Sequence, residues 1–187
     1  MPGVLLVVSG PSGAGKGAIV ARLLEDEPRV WRSISATTRP RRDGEVDGYD
    51  YRFLSRDEFE RIRREGGFLE SFEVFGNVYG TPRGPVQEHL AAGEDVLLEI
   101  DVQGAMAVKS AFPDAVLVFI RPPSREVQRE RLERRGLDAP EAVERRLALA
   151  AEEEALAPEF DEVVVNDDLG QAVRDVAAIL VRRREAT

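Results

Sequence analysis

Residues 10–17, GPSGAGKG, carry the most evident chemistry in the sequence. Glycines at 10, 13 and 15 let the main chain approach a ligand closely and turn successive N–H groups toward one point. Lys16 adds a positive charge on a flexible stem. The spacing matches a phosphate-cradling loop, G-x-x-x-x-G-K-[ST], in which amides at a helix N-terminus bind a polyphosphate and the last hydroxyl meets magnesium. Here that last position is Gly17 and the next is Ala18, so the hydroxyl is missing. Magnesium gives up its waters reluctantly, and a nearby carboxylate can hold it through them. Glu99 and Asp101, in LLEIDVQG, are the carboxylates placed to do so.

Other chemistries fall away on composition. The chain has no cysteine, which excludes disulfides, thiolate zinc sites and cysteine nucleophiles. It has one histidine, His89, which excludes a histidine metal cluster and a Ser/His/Asp triad. PVQEHLAAG around it reads as an amphipathic helix with a solvated histidine. The formal net charge of -9 argues against non-specific nucleic-acid binding. Of 26 basic residues only Lys16 and Lys109 are lysines, so one of the two sits in the glycine loop. No apolar run is long enough for a signal peptide or a membrane span, and a cytoplasmic protein is expected.

The elements around the loop must position it. VLLVVS, residues 4–9, reads as a buried parallel strand, and residues 17–24 as the helix that follows. Residues 33–37, SISAT, read as a second strand, and residues 49–54 as a short alternating one. Ser55 and Glu58 form a capping box, predicting a helix over residues 56–64 that ends at Gly66-Gly67. Strands over 68–75 and 78–79 flank a Gly76-Asn77 turn. An open-sheet rhythm then resumes, with strands at 95–100, 115–120 and 163–165. Helices are predicted at 103–111, 125–135, 141–156 and 169–184. This alternation predicts an α/β fold, a parallel sheet with helices on both faces. Residues 36–83 stand out as a small mixed α+β insertion. At 187 residues with 43% apolar content, the chain is one domain with a sizeable core.

Taken together, GPSGAGKG, SISATTRPRRDGEVDGYDY, GGFLES, GNVYGT, EIDVQG, RPPS, RLERRG, ERRL and VVVNDD resemble the guanylate kinase family, in order and over about residues 4–184. The resemblance implies a P-loop NTPase-type parallel sheet as the core (residues 1–35, 84–123 and 148–187). It further implies a GMP-binding insertion (36–83) and a helical lid (124–147). The implied activity is transfer of the terminal phosphoryl group of ATP to GMP, and to dGMP, with magnesium carried as ATP–Mg. The oligomeric state, monomer or homodimer, stays open, and neither nucleic acid nor membrane is an expected partner.

Residue by residue, the same resemblance places ATP on Gly10, Pro11, Ser12, Gly13, Ala14, Gly15, Lys16 and Gly17, with Arg131 and Asn166 nearby. The GMP phosphate would meet Arg39, Arg42, Tyr51 and Tyr79. Arg41 stays open as an alternative to Arg42, although the family spacing matches Arg42. Ser35, Glu70 and Thr81 would read the guanine: a carboxylate can accept from both of its N–H donors, and adenine would leave that carboxylate unpaired. Glu99 and Asp101 would border the GMP site, Asp101 also holding magnesium through water. Lys16, Arg39, Arg42, Arg135 and Arg146 would stabilise the phosphoryl group in flight, where positioning and positive charge do most of the catalysis. Two alternatives remain: another small-molecule phosphotransferase on this scaffold, or a non-catalytic relative that binds phosphopeptides.

Overall fold

The computed structural model describes residues 3–74, 76–134 and 140–186. The chain begins with β1 (Leu5–Ser9), α1 (Lys16–Asp26), β2 (Val30–Arg32), β3 (Ala36–Thr37), β4 (Arg52–Phe53) and α2 (Arg56–Arg64). It continues with β5 (Phe68–Val74), β6 (Asn77–Pro82), α3 (Arg83–Ala91), β7 (Asp95–Glu99) and α4 (Val102–Ala111). It closes with β8 (Val116–Arg121), α5 (Arg125–Arg134), α6 (Pro140–Glu154), a 3-10 turn (Ala157–Glu159), β9 (Glu162–Val165) and α7 (Leu169–Ala186).

Five strands form a parallel sheet in the order β2-β7-β1-β8-β9. All five residues of β1 are buried, as expected of a central parallel strand covered on both faces. Its side chains alternate between two cores. Leu6 and Val8 join Ile19, Val20 and Leu23 of α1 and Val173, Val176 and Leu180 of α7. Leu5 and Val7 join Val86 of α3 and Val102, Ala105 and Val108 of α4 on the other face. The C-terminal helix is also tied by charge: Arg184 donates to Asp95 at 2.6 Å and to Glu27 at 3.1 Å. Asp95, only 3% exposed, also accepts from the Val4 amide at 2.8 Å.

A second sheet has the order β4-β3-β6-β5; β6 runs antiparallel to both β3 and β5, while β3 and β4 are parallel. Its small core is Ala36, Phe59, Phe68 and Val78, with the Phe59 and Phe68 rings stacked 4.4 Å apart. The capping box is present: the Ser55 hydroxyl accepts from the Glu58 amide, and the Glu58 carboxylate accepts from the Ser55 amide at 3.0 Å.

Three expectations are corrected. Residues 33–37 are not one strand: Val30–Arg32 pairs with β7 in the parallel sheet, whereas Ala36–Thr37 pairs with β6 and β4 in the other. The chain changes sheets between them. The strand expected at residues 49–54 shrinks to Arg52–Phe53, because Val46 and Tyr49 belong to a turn closed by the Asp50 carboxylate. His89 is not simply solvated; it is half-buried, stacks on Trp31 at 3.9 Å and bonds Glu94. Among the described residues no helix is long and apolar enough to cross a membrane.

Candidate active site

The glycine loop leaves the C-terminal edge of β1 and runs into α1, the position at which open α/β sheets bind ligands. Gly15 is the N-cap of α1, with φ 88° and no side-chain cap. The first-turn amides of α1 have no intrahelical acceptors and the helix dipole is positive there, so an anion fits. A Cβ at residue 15 would lie 2.4 Å from Asn166 Nδ2, so both conformation and space demand glycine. Lys16 lies back over the loop and donates to Gly10 O and, at 3.1 Å, to Pro11 O.

A cavity of about 420 Å³ extends from this loop to the second sheet. Gly10, Ser12, Gly15, Lys16 and Gly17 line one end, and Ser35, Arg42, Tyr51, Glu70 and Tyr79 line the other. Glu99 and Asp101 border it, and α6 contributes Arg146, Leu149 and Glu153. Asp101 is the N-cap of α4, where its carboxylate accepts from Gly104 N at 2.7 Å. Burial raises its pKa, against the opposing pull of the Gly104 amide and the Lys16 charge. Glu99 pairs with Arg32 at 3.4 Å and stands 3.5 Å from where a Cβ on Gly17 would be.

Glu70 is the most constrained acid in the cavity wall. It is 6% exposed, and its Oε1 accepts from both the amide (3.0 Å) and the hydroxyl (2.6 Å) of Thr81. Its Oε2 is buried and has no hydrogen-bond partner in the structure. Burial pushes its pKa up to about 7, with nearby Asp101 adding to the rise and the Thr81 bonds opposing it. The Thr81 hydroxyl is committed to Glu70, so it orients the carboxylate. Ser33, beside Ser35 on the cavity wall, also has a buried hydroxyl without a partner.

The remaining expected residues divide into two groups. Arg42, Tyr51 and Tyr79 line the cavity, with the two tyrosine rings edge-on at 6.0 Å. Arg39 is held differently: Glu45 grips both its terminal nitrogens, at 2.6 and 3.0 Å, and its guanidinium lies 5.4 Å from the Tyr51 ring centre. The hydrogen bonds from Arg39 hold the Glu45 carboxyl below its usual pKa. Arg131 and Asn166 brace the loop from outside: Arg131 donates to Asn166 O at 2.9 Å, and Asn166 Nδ2 donates to Ala14 O at 2.8 Å. Arg146 reaches Ser12 Oγ at 3.3 Å. Arg135 lies outside the described residues.

Sequence reading missed Gln128, Glu45 and Glu153. Glu153 shares a face of α6 with Arg146 and Leu149, at helical spacing of seven and four, but the run Glu152-Glu153-Glu154 hides which acid faces inward. Burial pushes its pKa up to about 7, against the opposing charge of Lys16.

Against this geometry, the model of the guanylate kinase family matches residues 3–183. The chain belongs to the guanylate kinase family. It is 60% identical over 176 residues to a guanylate kinase of Gloeobacter violaceus, covering 94% of this chain and 86% of that one. A guanylate kinase of Symbiobacterium thermophilum is 52% identical over 185 residues, 99% of this chain and 88% of that one. The crystal structure of guanylate kinase from Anaplasma phagocytophilum superimposes with a TM-score of 0.79 at 36% identity, covering 97% of this chain and 86% of that one. A gluconokinase from Sinorhizobium meliloti, at TM-score 0.53 and 22% identity, shares the fold alone.

Proposed function

We propose that this chain transfers the terminal phosphoryl group of ATP to GMP, and to dGMP, directly and in line. Membership of the family supports the reaction, and one observation carries the choice of acceptor. Glu70 presents a buried, unpartnered carboxylate oxygen in a cavity whose far end is a phosphate loop. Guanine offers paired N1–H and N2–H donors that such a carboxylate accepts together; adenine offers no such pair and would leave the oxygen desolvated and unpaired.

In this reading residues 36–83 are the GMP-binding unit, residues 124–147 the lid, and residues 1–35, 84–123 and 148–187 the core. Ser35 reads the base beside Glu70, which Thr81 holds in place. Arg42, Tyr51 and Tyr79 receive the acceptor phosphate, with Arg39 supplying charge from behind Tyr51. Lys16 leaves the loop carbonyls for the ATP phosphates, while the loop amides neutralise the polyphosphate. Arg146 reaches the migrating group from α6, and closure around both nucleotides excludes water that would otherwise hydrolyse ATP. No side-chain nucleophile or general base is needed.

Magnesium fits as a passenger on ATP. Among the described residues no group of three or more His, Asp or Glu side chains could hold a metal ion. The phosphates and water would hold the ion, with Asp101 as the outer carboxylate; when bound, it neutralises phosphate charge. The test is a coupled assay with ATP and each of the four nucleoside monophosphates. GMP is expected to be turned over at least about a hundredfold more efficiently than AMP. Equal use of AMP, or turnover of none of them, would contradict the proposal.

A further inference from the structure

We propose that Gln128 is a positioning residue for ATP, its side-chain amide fixing the Ser12–Gly13 peptide with the N–H turned toward the phosphates. Gln128 sits on α5, one residue type among arginines and glutamates, and with Leu132 it forms the buried stripe of that helix. It is 1% exposed. A primary amide so buried is costly unless it is hydrogen-bonded. Its Nε2 donates to Ser12 O of the glycine loop at 2.7 Å, across 116 residues of sequence.

The loop and α5 are in close contact at this point. A Cβ on Gly13 would meet Gln128 Cγ at 3.0 Å and Gln128 O at 3.1 Å, and Gly13 itself has φ 83°. The peptide bonds are all trans among the described residues, so C=O and N–H of one plane point in opposite directions. With Ser12 O fixed toward α5, the Gly13 N–H is turned to the opposite side. The next plane but one, Ala14–Gly15, is pinned in the same way, because Ala14 O accepts from Asn166 at 2.8 Å and from Arg131 at 3.4 Å, which turns the Gly15 N–H. Amides fixed in advance toward a developing anion stabilise it without reorganisation at the moment of binding. Gln128 and Arg131 lie on one helix, so α5 grips these two planes of the loop at once.

This rests on residues 10–17 being the ATP site, and the test separates the two claims. Calorimetry of ATP–Mg and, separately, of GMP is run on the wild type and on Gln128→Met, which keeps the length and packing but has no donor. The variant is expected to lose about five- to tenfold in ATP affinity, with GMP affinity unchanged. Its Tm without nucleotide should be equal or slightly lower, since Ser12 O loses its donor, while the Tm gain on saturating ATP shrinks. Unchanged ATP affinity, or an equal loss toward ATP and GMP, would overturn the role of Gln128. No ATP binding by the wild type would overturn the loop assignment and this inference with it. Should the variant not fold, the Gln128 side-chain amide protons of the free wild type decide: slow exchange with solvent is expected, and fast exchange would refute the bond.

Discussion

Glu70 holds an unusual position for an acid, in contact with Thr81 through one oxygen and with no partner at the other. Its pKa of about 7 in the folded protein lies above the ordinary carboxylate value. The folded state therefore keeps a proton that the unfolded chain releases from about pH 4.5 upward. The stabilisation is full at low pH and is lost as pH rises toward and through 7. Subtracting the pH–Tm profile of Glu70→Gln from that of the wild type should leave a difference that falls between pH 5 and 7.5; a flat difference would contradict the shift. Ligand binding runs the opposite way. In the proposed reading guanine needs the ionised carboxylate, so GMP binding at pH 6.5 should release more protons from the wild type than from Glu70→Gln, as measured by calorimetry in buffers of different ionisation heat. Lys16→Met should lower kcat by about 10²–10³-fold with little change in Tm, because it removes a charge from the transferring phosphates and nothing from the core.

At the scale of elements, local signals are read well where they are local. The glycine loop before α1 and the capping box at the start of α2 were both legible, because a strand, a turn and a cap are each encoded within a few residues. Ser55→Ala should cost about 1 kcal/mol of stability in denaturant unfolding, with ATP affinity unchanged. Residues 33–37 were read as one strand because alternation reports a strand but not the sheet it joins. That choice is made by Ser33 N bonding Leu97 O on one side and Ala36 pairing with Gly80 on the other. At the candidate site the sequence shows residue types but not the hydrogen bonds among them. Thr81 is expected at the base and Asn166 near ATP; in the structure their side chains hydrogen-bond Glu70 and Ala14 O. Glu45 grips Arg39 with both oxygens, a contact that no spacing in the sequence marks. Gly15→Ala should abolish ATP binding, since the added carbon meets Asn166 and the backbone sits at positive φ.

Across the whole molecule, the parallel sheet carries the glycine-loop end of the cavity and the second sheet the end lined by Glu70 and Tyr79, with α6 also on its wall. The frame is closed at its far edge by Arg184, which joins α7 to Asp95 on β7 and Glu27 after α1. Arg184→Met leaves a nearly buried carboxylate without its cation, and should cost about 3 kcal/mol in unfolding experiments while leaving KM for both nucleotides unchanged. The arrangement as a whole stands on selection of a purine by one buried acid, and calorimetric titration of GMP and of AMP into wild type and Glu70→Gln tests that most directly. The wild type should bind GMP at least about a hundredfold more tightly than AMP, and the substitution should shrink that preference below about tenfold. A Glu70→Gln protein that keeps the full preference for GMP would contradict it.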